Sequence, residues 1–178
     1  GDLLGDHGML EKRSFYEESA RVPLLISIPA LSTSQTQVEG SFSQIDLVPT
    51  LLNLLGQDIP NHLHGESRIE VLHGTDSLHE NNVVVEWNGI REGHFDRSQA
   101  TPEIDRMNHS MWRSIIHDRW KLNLCSGDQN ELFDLNNDPY EEINLFNNTE
   151  HKDRIRDMAG KLRVWQNRTG DIVPLPDL

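Results

Sequence analysis

Apolar residues fall into short runs separated by polar, turn-forming stretches, and the spacing within each run predicts its structure. Residues 22–29 are mostly apolar, include branched side chains and are bracketed by prolines, which predicts a strand buried on both faces. After a loop rich in Ser, Thr and Gln, residues 47–55 predict a helix, with Asp46 as its cap, Pro49 in its first turn and Gly56 at its end. The apolar stripe of that helix is Ile45, Val48, Leu51, Leu52 and Leu55. A strand followed by a helix predicts an α/β layer arrangement.

The second half of the chain predicts a small antiparallel sheet covered by a helix. Residues 82–87 have the composition of a strand, and residues 111–116, 120–124 and 131–135 are three short β-like runs separated by turn residues. Residues 88–108 form a polar loop, and a short helix is predicted near residues 68–72. Residues 150–166 predict a terminal helix with one apolar stripe, formed by Ile155, Met158, Leu162 and Trp165. We therefore predict an α/β portion over residues 1–75 and a sheet-and-helix subdomain over residues 76–178.

Composition and charge narrow the classes of function. The 178 residues contain 16 basic and 29 acidic side chains, a formal net charge of −13, which argues against a nucleic-acid partner. The longest apolar run is Leu24-Leu25-Ile26, far below the roughly 20 residues that span a bilayer. The single cysteine, Cys125, excludes an internal disulfide and any multi-cysteine zinc site.

The densest group of chemically useful residues lies in the glycine-rich opening segment. Asp2, Asp6, His7, Glu11, Lys12 and Arg13 occur there within twelve positions. Glycine lets a backbone approach a ligand closely, and a lysine on such a loop can hold an anion. Charge and glycine content are equally compatible with a solvated surface loop, and His7 with a hydrogen-bonded loop histidine. The other histidines show no metal-ligand spacing on a single helix.

Several motifs, in order, resemble the sulfatase family of the alkaline-phosphatase-like superfamily. The opening GDLLGDHGMLEKRSFYEESARVP is similar to the region that follows the family's Asp-His-Gly or Asp-Asn-Gly metal motif, with Gly1 as the last residue of that motif. Asp46, Pro49 and Thr50 match its "D-x-x-P-T" helix, and HGES at residues 64–67 stands where members have "G-x-S-L". The resemblance implies an α/β fold: the C-terminal portion of an alkaline-phosphatase-like fold, ending in a small antiparallel sheet with a packed helix.

Two further motifs extend the resemblance through the second half of the chain. Trp112-Arg113 followed by RWKL at residues 119–122 is similar to the hairpin of the family's C-terminal subdomain. The run ELFDL, with the following Asp138-Pro139, Glu142 and Asn144-Leu145, matches its "E-L-Y-D-L-x-x-D-P-x-E-x-x-N-L" pattern. We expect the residues of both motifs to be architectural.

The resemblance assigns roles to residues of the opening segment. Lys12 corresponds to the lysine that contacts the sulfate oxygens and is the expected catalytic residue. His7 is expected either to bind substrate in the pocket or to brace the loop. Glu17 and Arg21 are expected to form a structural ion pair. Arg113 could reach a substrate group, but a structural role is favoured.

The departures from the family pattern imply that this chain is the C-terminal part of a sulfatase. Cys125 is followed by SGDQ, so it does not match the C-x-(P/A)-x-R motif whose cysteine becomes formylglycine. The aspartates and the Asp-His or Asp-Asn pair of the metal site have no counterpart, so no metal ligand is assigned to this chain. Formylglycine and a divalent cation, expected to be Ca²⁺, would lie on the missing N-terminal part of the same protein, its expected partner. This chain alone is expected to be inactive.

Three hypotheses follow for function. The full-length protein would be a sulfatase acting on a sulfated small molecule or glycan, and the family resemblance suggests a periplasmic or secreted location. It could instead be a phosphonate monoester or phosphodiester hydrolase of the same superfamily. Alternatively, the chain is an inert structural or glycan-binding fragment. The residues that could stack on sugars are Trp87, Trp112, Trp120 and Trp165, although their sequence context favours packing in the core. The individual substrate and the oligomeric state stay open, and the residues that select substrate are expected in variable loops such as residues 88–108.

Overall fold

The computed structural model describes residues 1–8, 12, 14–31, 34–89 and 109–178. The chain divides into two compact units. The first comprises Gly1–Val22, Val84–Ile115 and Arg119–Leu178, and the second comprises Pro23–Val83 and Ile116–Asp118. No helix in the described ranges combines the length and apolar character that a membrane crossing requires.

A four-stranded sheet forms the framework of the second half of the chain. Its strands are β1 (Asn82–Trp87), β2 (Trp112–His117), β3 (Trp120–Cys125) and β4 (Glu131–Asp134), and they lie side by side in chain order. β3 and β4 are antiparallel, with Trp120 opposite Asp134 and Asn123 opposite Glu131. Only Asp118 and Arg119 join β2 to β3, and Asp118 takes a left-handed φ of 52° in that turn. The predicted antiparallel meander is confirmed.

The predicted terminal helix is also confirmed, and it begins two residues and ends three residues later than predicted. It spans Lys152–Thr169 and ends at Gly170, whose φ of 74° is the left-handed conformation that glycine adopts without steric cost. In the preceding turn, the Asn148 side chain accepts a hydrogen bond from the amide of Glu150. The side chains that this helix buries are Ile155, Met158, Ala159 and Leu162, three of which belong to the predicted stripe.

β3 is buried on both faces, and its alternating side chains have different neighbours. Trp120, Leu122 and Leu124 belong to the core that the sheet shares with the terminal helix. The intervening Lys121 and Asn123 point the other way, toward the opposite face of the sheet, and are 0% and 1% exposed. The N-terminal segment, residues 1–22, lies against that second face, where the Lys121 ammonium contacts the Phe15 carbonyl.

The second unit contains two helices, Leu47–Leu54 and Ile69–Leu72, at the predicted positions. The apolar stripe of the first helix is not buried, contrary to the prediction: Leu55 is 71% exposed, and Ile45, Val48 and Leu51 are 51%, 51% and 41% exposed. The residues of this helix that are buried are Pro49 and Thr50. Thr50 and its neighbours contact a polar network instead, because the described residues supply no apolar layer over the stripe.

Asp46 organises that polar network, and its predicted role as a helix cap is wrong. Its side chain makes no capping hydrogen bond. One carboxylate oxygen accepts from the amide of Glu66 at 2.9 Å and the other from Arg68 Nε at 2.8 Å. Arg68 also donates to Asn81 Oδ1 at 2.7 Å, and its amide donates to the Thr50 hydroxyl. The charge-assisted hydrogen bond from Arg68 thus holds the Asp46 carboxylate in place of the free amides at the start of the helix.

The strand predicted at residues 22–29 is not observed. These residues are an extended segment, in which Leu25 is 91% exposed and Leu24 and Ile26 are 48% and 41% exposed. A strand requires a neighbour to receive its amides and carbonyls, and the described residues provide none along this segment. The run of apolar residues is present, but such a run forms a strand only where another strand lies beside it.

Two expectations fall partly outside the described residues. The sequence also predicts one helical turn over residues 13–19, after the glycines of the opening segment. This turn overlaps the helix Glu17–Ala20, but Arg13 lies outside the described part of the chain. The polar loop expected to select substrate lies, from residue 90 to residue 108, outside it as well.

Candidate functional site

The N-terminal segment is shaped by one buried apolar residue and a tight turn. Leu3 is fully buried, and the Asp2 carboxylate accepts a hydrogen bond from the amide of Leu4. A 3₁₀ turn follows at Asp6–Gly8, in which His7 has a left-handed φ of 52°. Lys12 is exposed and forms no ion pair with any residue that the structure describes. Its ammonium is therefore not neutralised by a described carboxylate.

His7 rests against Tyr16. The two rings are parallel within 3°, and their centroids are 3.6 Å apart. The Tyr16 hydroxyl donates to Glu131 Oε1 at 3.0 Å, and Asn123 Nδ2 donates to Glu131 Oε2 at 3.0 Å. Burial, and then the neighbouring Glu131 carboxylate, raise the pKa of Tyr16 because both disfavour a phenolate. This stacking is compatible with the bracing role expected for His7, and the role of His7 in binding substrate stays a prediction.

A buried ion cluster holds the next part of the segment; we call Lys121, Glu17 and Glu141 the Lys121 cluster. The Lys121 ammonium lies 2.7 Å from Glu17 Oε1 and 2.8 Å from Glu141 Oε1, and it donates to the Phe15 carbonyl at 2.6 Å. Glu141 Oε2 accepts from the amide of Glu17 at 2.5 Å. The side chains of Lys121 and Glu141 are both 0% exposed. The cluster thus fastens residues 15–17 to β3.

The Lys121 cluster changes the interpretation of Glu17. The expected pair with Arg21 exists only at 4.0 Å, and the Arg21 side chain is 80% exposed, so this pair contributes little. The closer partner of Glu17 is Lys121, more than a hundred positions away in the sequence. Burial raises the pKa of Glu141, although the Lys121 ammonium opposes that shift.

Arg113 has the structural role that the sequence favours. It is 1% exposed, and it donates from Nε and Nη2 to the two carboxylate oxygens of Asp171 at 2.9 and 2.6 Å. It also donates to the carbonyl of Trp87 and to Asn88 Oδ1. The hydrogen bonds from Arg113, assisted by one from Gln166, lower the pKa of Asp171 to about 2. This bidentate pair ties the C-terminal tail to the sheet.

Cys125 is placed as a structural thiol. It is 2% exposed at the end of β3, and burial raises its pKa, so the reactive thiolate is disfavoured. Within the described ranges, no three His, Cys, Asp or Glu side chains come together as a metal site. The described residues therefore provide no set of ligands that fits a divalent cation, and no chemical step is assigned to such an ion.

Three of the four tryptophans form packing contacts among the described residues. Trp120 is 7% exposed in the core, with the guanidinium of Arg154 3.8 Å above its ring, and Trp165 packs against the same core. The Trp112 ring lies 5.7 Å from that of Phe15. These contacts agree with the core-packing role that the sequence favours for Trp112, Trp120 and Trp165.

The sequence did not single out Lys121, Glu141 or Glu131 as more than architecture. One local signal existed: β3 reads WKLNLC, with a lysine and an asparagine inside an otherwise apolar strand. Such residues are rarely buried without partners. A buried lysine therefore indicates carboxylates elsewhere in the chain, but sequence spacing does not show which ones.

The family profile of the C-terminal domain of N-sulphoglucosamine sulphohydrolase matches residues 5–168. The chain belongs to this sulfatase family. The match includes Lys12, His7 and every member of the Lys121 cluster.

Curated relatives carry sulfatase and related names. The chain is 26% identical to the N-acetylglucosamine-6-O-sulfatase of Bacteroides thetaiotaomicron, over 98% of this chain and 30% of that protein. It is 30% identical to arylsulfatase K of Xenopus laevis, over 92% of this chain and 29% of the relative. A multifunctional alkaline phosphatase superfamily protein, PehA of Trinickia caryophylli, is also 30% identical, over 93% of this chain and 32% of its own length. The chain spans about a third of the length of these relatives.

Solved structures share the fold. The phosphonate monoester hydrolase of Agrobacterium radiobacter superimposes with a TM-score of 0.75 at 27% identity, over 95% of this chain and 34% of that one. BT4656, solved with its substrate D-glucosamine-2-N,6-O-disulfate, gives a TM-score of 0.78 at 24% identity, over 98% of this chain and 34% of that one. The sulfatase chain therefore has the C-terminal portion of the alkaline-phosphatase-like fold, as expected.

Proposed function

We propose that the full-length protein containing this chain is a sulfatase that hydrolyses sulfate esters and that Lys12 contacts the sulfate. The observation that carries the proposal is the match of the sulfatase family over residues 5–168, which includes the glycine-rich segment bearing Lys12. The name of one relative, N-acetylglucosamine-6-O-sulfatase, supports a sulfated glycan or a small sulfated molecule as the substrate class.

Lys12 suits that role electrostatically. A sulfate ester carries negative charge on its non-bridging oxygens, and more charge develops on the leaving oxygen during hydrolysis. An ammonium held nearby stabilises this charge, the more so when water is excluded. Lys12 is exposed and forms no ion pair with the described residues, which suits a side chain that binds an anion.

His7 has a supporting role in this proposal. Its ring is stacked on Tyr16, so the imidazole is held in one plane beside the glycine-rich turn. A ring fixed in this way can donate a hydrogen bond to a substrate oxygen without the entropic cost of ordering it first. Bracing the loop and binding substrate are thus compatible functions of His7.

The remaining machinery is proposed to lie outside this chain. A formylglycine would supply the nucleophile, and a divalent cation, expected to be Ca²⁺, would neutralise the sulfate. By this proposal, the isolated chain hydrolyses no sulfate ester.

A comparison of substrates tests the proposed function. The full-length protein, with its formylglycine formed, is assayed with 4-nitrophenyl sulfate and with a phenylphosphonate monoester. We expect a higher kcat/KM on the sulfate ester. Turnover of the phosphonate alone would reject the sulfatase proposal.

A second candidate is a phosphonate monoester or phosphodiester hydrolase of the same superfamily. It is favoured by the likeness to the Agrobacterium radiobacter enzyme at 27% identity. The chemistry of Lys12 does not discriminate, because the non-bridging oxygens of a phosphonate monoester are also anionic. The ratio of the two rates decides between the candidates.

A further inference from the structure

Three oxygens of its immediate surroundings lie within 2.8 Å of the Lys121 ammonium. Lysine carries three N–H donors, and the atoms within 2.8 Å are the Phe15 carbonyl and one carboxylate oxygen each of Glu17 and Glu141. Because Lys121 is wholly buried, water does not compete for these positions. One of the three partners is main chain, so the ammonium fixes a peptide unit of the N-terminal segment as well as two side chains.

Glu141 holds the same segment at the next peptide unit. Its second oxygen accepts from the amide of Glu17, and Glu141 is itself fixed in a turn in which its amide donates to the Asp138 carbonyl. Glu141 has a left-handed φ of 55°, and its carboxylate lies 2.8 Å from the Lys121 ammonium. The carbonyl of Phe15 and the amide of Glu17 are thus held by two residues from different parts of the subdomain.

Stability alone does not account for this arrangement. A buried ion cluster costs desolvation, and apolar side chains of similar volume often replace one without loss of stability. Here two carboxylates share one ammonium, which makes the cluster more costly still. Apolar side chains cannot, however, donate to the Phe15 carbonyl or accept from the Glu17 amide. The property that the cluster provides is the position of the backbone.

We propose that Lys121 and Glu141 are positioning residues for Lys12, a proposal that rests on the proposed function of Lys12. Phe15 lies three positions after Lys12, so the held peptide units restrict Lys12 to within about 10 Å of the Phe15 Cα atom. Lys12 itself has no ion pair with the described residues. By this proposal, the location of Lys12 relative to a bound sulfate depends on where the Lys121 cluster holds residues 15–17.

The test uses the full-length protein with Lys121→Met and Glu141→Met together, straight-chain replacements that leave no buried ammonium. The matched control is Lys161→Met with Asp157→Met, which removes a surface pair in the terminal helix. We expect the first double variant to lower kcat/KM for 4-nitrophenyl sulfate by about 100-fold, the scale of a misplaced catalytic group. We expect the control to change it by less than about twofold.

A background variant separates positioning from general damage. If Lys121 and Glu141 act through Lys12, then adding both substitutions to Lys12→Ala should lower kcat/KM no further. The proposal would be overturned if the double methionine substitution lowered kcat/KM as much in the Lys12→Ala background as in the wild-type background. It would also be overturned if that substitution left the kcat/KM of the otherwise wild-type protein unchanged.

A conservative variant covers the case in which the double methionine variant does not fold. Lys121→Gln with Glu141→Gln removes both charges but keeps a donor for the Phe15 carbonyl and an acceptor for the Glu17 amide. We expect its kcat/KM to stay within about threefold of wild type. A loss as large as that of Lys12→Ala would reject the backbone-holding role.

Amide exchange gives a readout that is independent of activity. In the double methionine variant, the amides of residues 14–20 should exchange faster while those of the terminal helix keep their protection. Unchanged protection of residues 14–20 would overturn the proposal even if no substrate is turned over. Absence of sulfate ester hydrolysis by the wild-type protein, with faster exchange in the variant, would instead reject only the proposed function and the role given to Lys12.

Discussion

The imidazole of His7 lies parallel to the phenol ring of Tyr16 at a centroid distance of 3.6 Å. Tyr16 in turn donates to Glu131 on β4, so the orientation of His7 depends on a strand that is far away in the sequence. A loop residue is thereby held by the rigid sheet rather than by its own flexible neighbours. Substitutions at Tyr16 separate the ring contact from the hydrogen bond.

We predict that Tyr16→Phe keeps the stacked ring but lowers the free energy of unfolding by about 1–3 kcal/mol, because Glu131 loses a donor in a buried setting. Tyr16→Leu should remove the stack as well and broaden the NMR signals of the His7 ring. Urea unfolding and NMR spectra measure the two effects. Tyr140→Phe is the control, since Tyr140 is 67% exposed. Equal stability of the two phenylalanine variants would contradict the prediction.

Replacing Lys12 should affect catalysis and spare the fold. We expect Lys12→Ala to lower kcat of the full-length enzyme on a sulfate ester by about 100- to 1,000-fold, the cost of losing one charge-stabilising group. The free energy of unfolding should change by less than about 0.5 kcal/mol, because Lys12 is exposed. Lys152→Ala, at another exposed lysine, serves as the control. A turnover rate unaffected by Lys12→Ala would remove this residue from the mechanism.

The pair of Arg113 and Asp171 should make stability depend on pH in the acid range. The pKa of Asp171 is lowered to about 2, so its contribution is fully present above its unfolded pKa, near 3.9, and is lost as the pH falls toward 2. Asp171→Asn should therefore cost about 2 kcal/mol at pH 6, and the difference from wild type should shrink between pH 4 and pH 2. Urea titrations at several pH values measure this. Asp153→Asn, at a 99% exposed carboxylate, should show no such trend. A constant difference across the range would contradict the assignment.

Arg68 should be the more costly of two arginines to replace. Arg68→Met leaves Asp46, whose side chain is 4% exposed, without its ionic partner, and we expect a loss of about 3 kcal/mol. Arg21→Met removes only a pair at 4.0 Å from an exposed side chain and should cost less than about 0.5 kcal/mol. Chemical unfolding of the two variants compares them directly. Similar losses would show that Asp46 does not depend on Arg68.

Cys125 should resist thiol reagents in the folded chain. Its burial and raised pKa keep it as a protected thiol, so labelling at pH 7 should be slow in buffer and fast in denaturant. Time-resolved labelling with a chromogenic disulfide checks this. Rapid labelling of the native chain would mean that Cys125 is accessible and activated.

Local periodicity predicted the elements whose partners are near in sequence. The strands from β2 to β4 follow one another through short turns, and the stripe of Ile155, Met158 and Leu162 packs as its spacing indicates. Residues 22–29 and the stripe around Leu55 have equally clear patterns but remain exposed, since the described chain supplies nothing to cover them. A hydrophobic pattern shows what a segment can bury and leaves open whether a partner is there.

The residues of the candidate site also differ in whether their neighbours in sequence or distant residues determine their role. Lys12 and His7 were identified from the motifs of the opening segment, because residues close in sequence carry a family resemblance. Lys121 was not predicted as a site residue, because its partners Glu17 and Glu141 lie 104 positions before it and 20 positions after it, and only folding brings them together. Long-range ion pairs leave no spacing for a single sequence to show.

The alternation of side chains in β3 makes this strand sensitive to insertions and deletions. Leu122 faces the helix core, whereas Lys121 faces the N-terminal segment. Loss or gain of one residue would reverse every direction after it, moving a charged group among the aliphatic side chains and a leucine between Glu17 and Glu141. We therefore expect point substitutions to be tolerated in β3 more often than any change of its length. Homologous chains should vary in length in the turns around β3 and keep the strand itself at six residues.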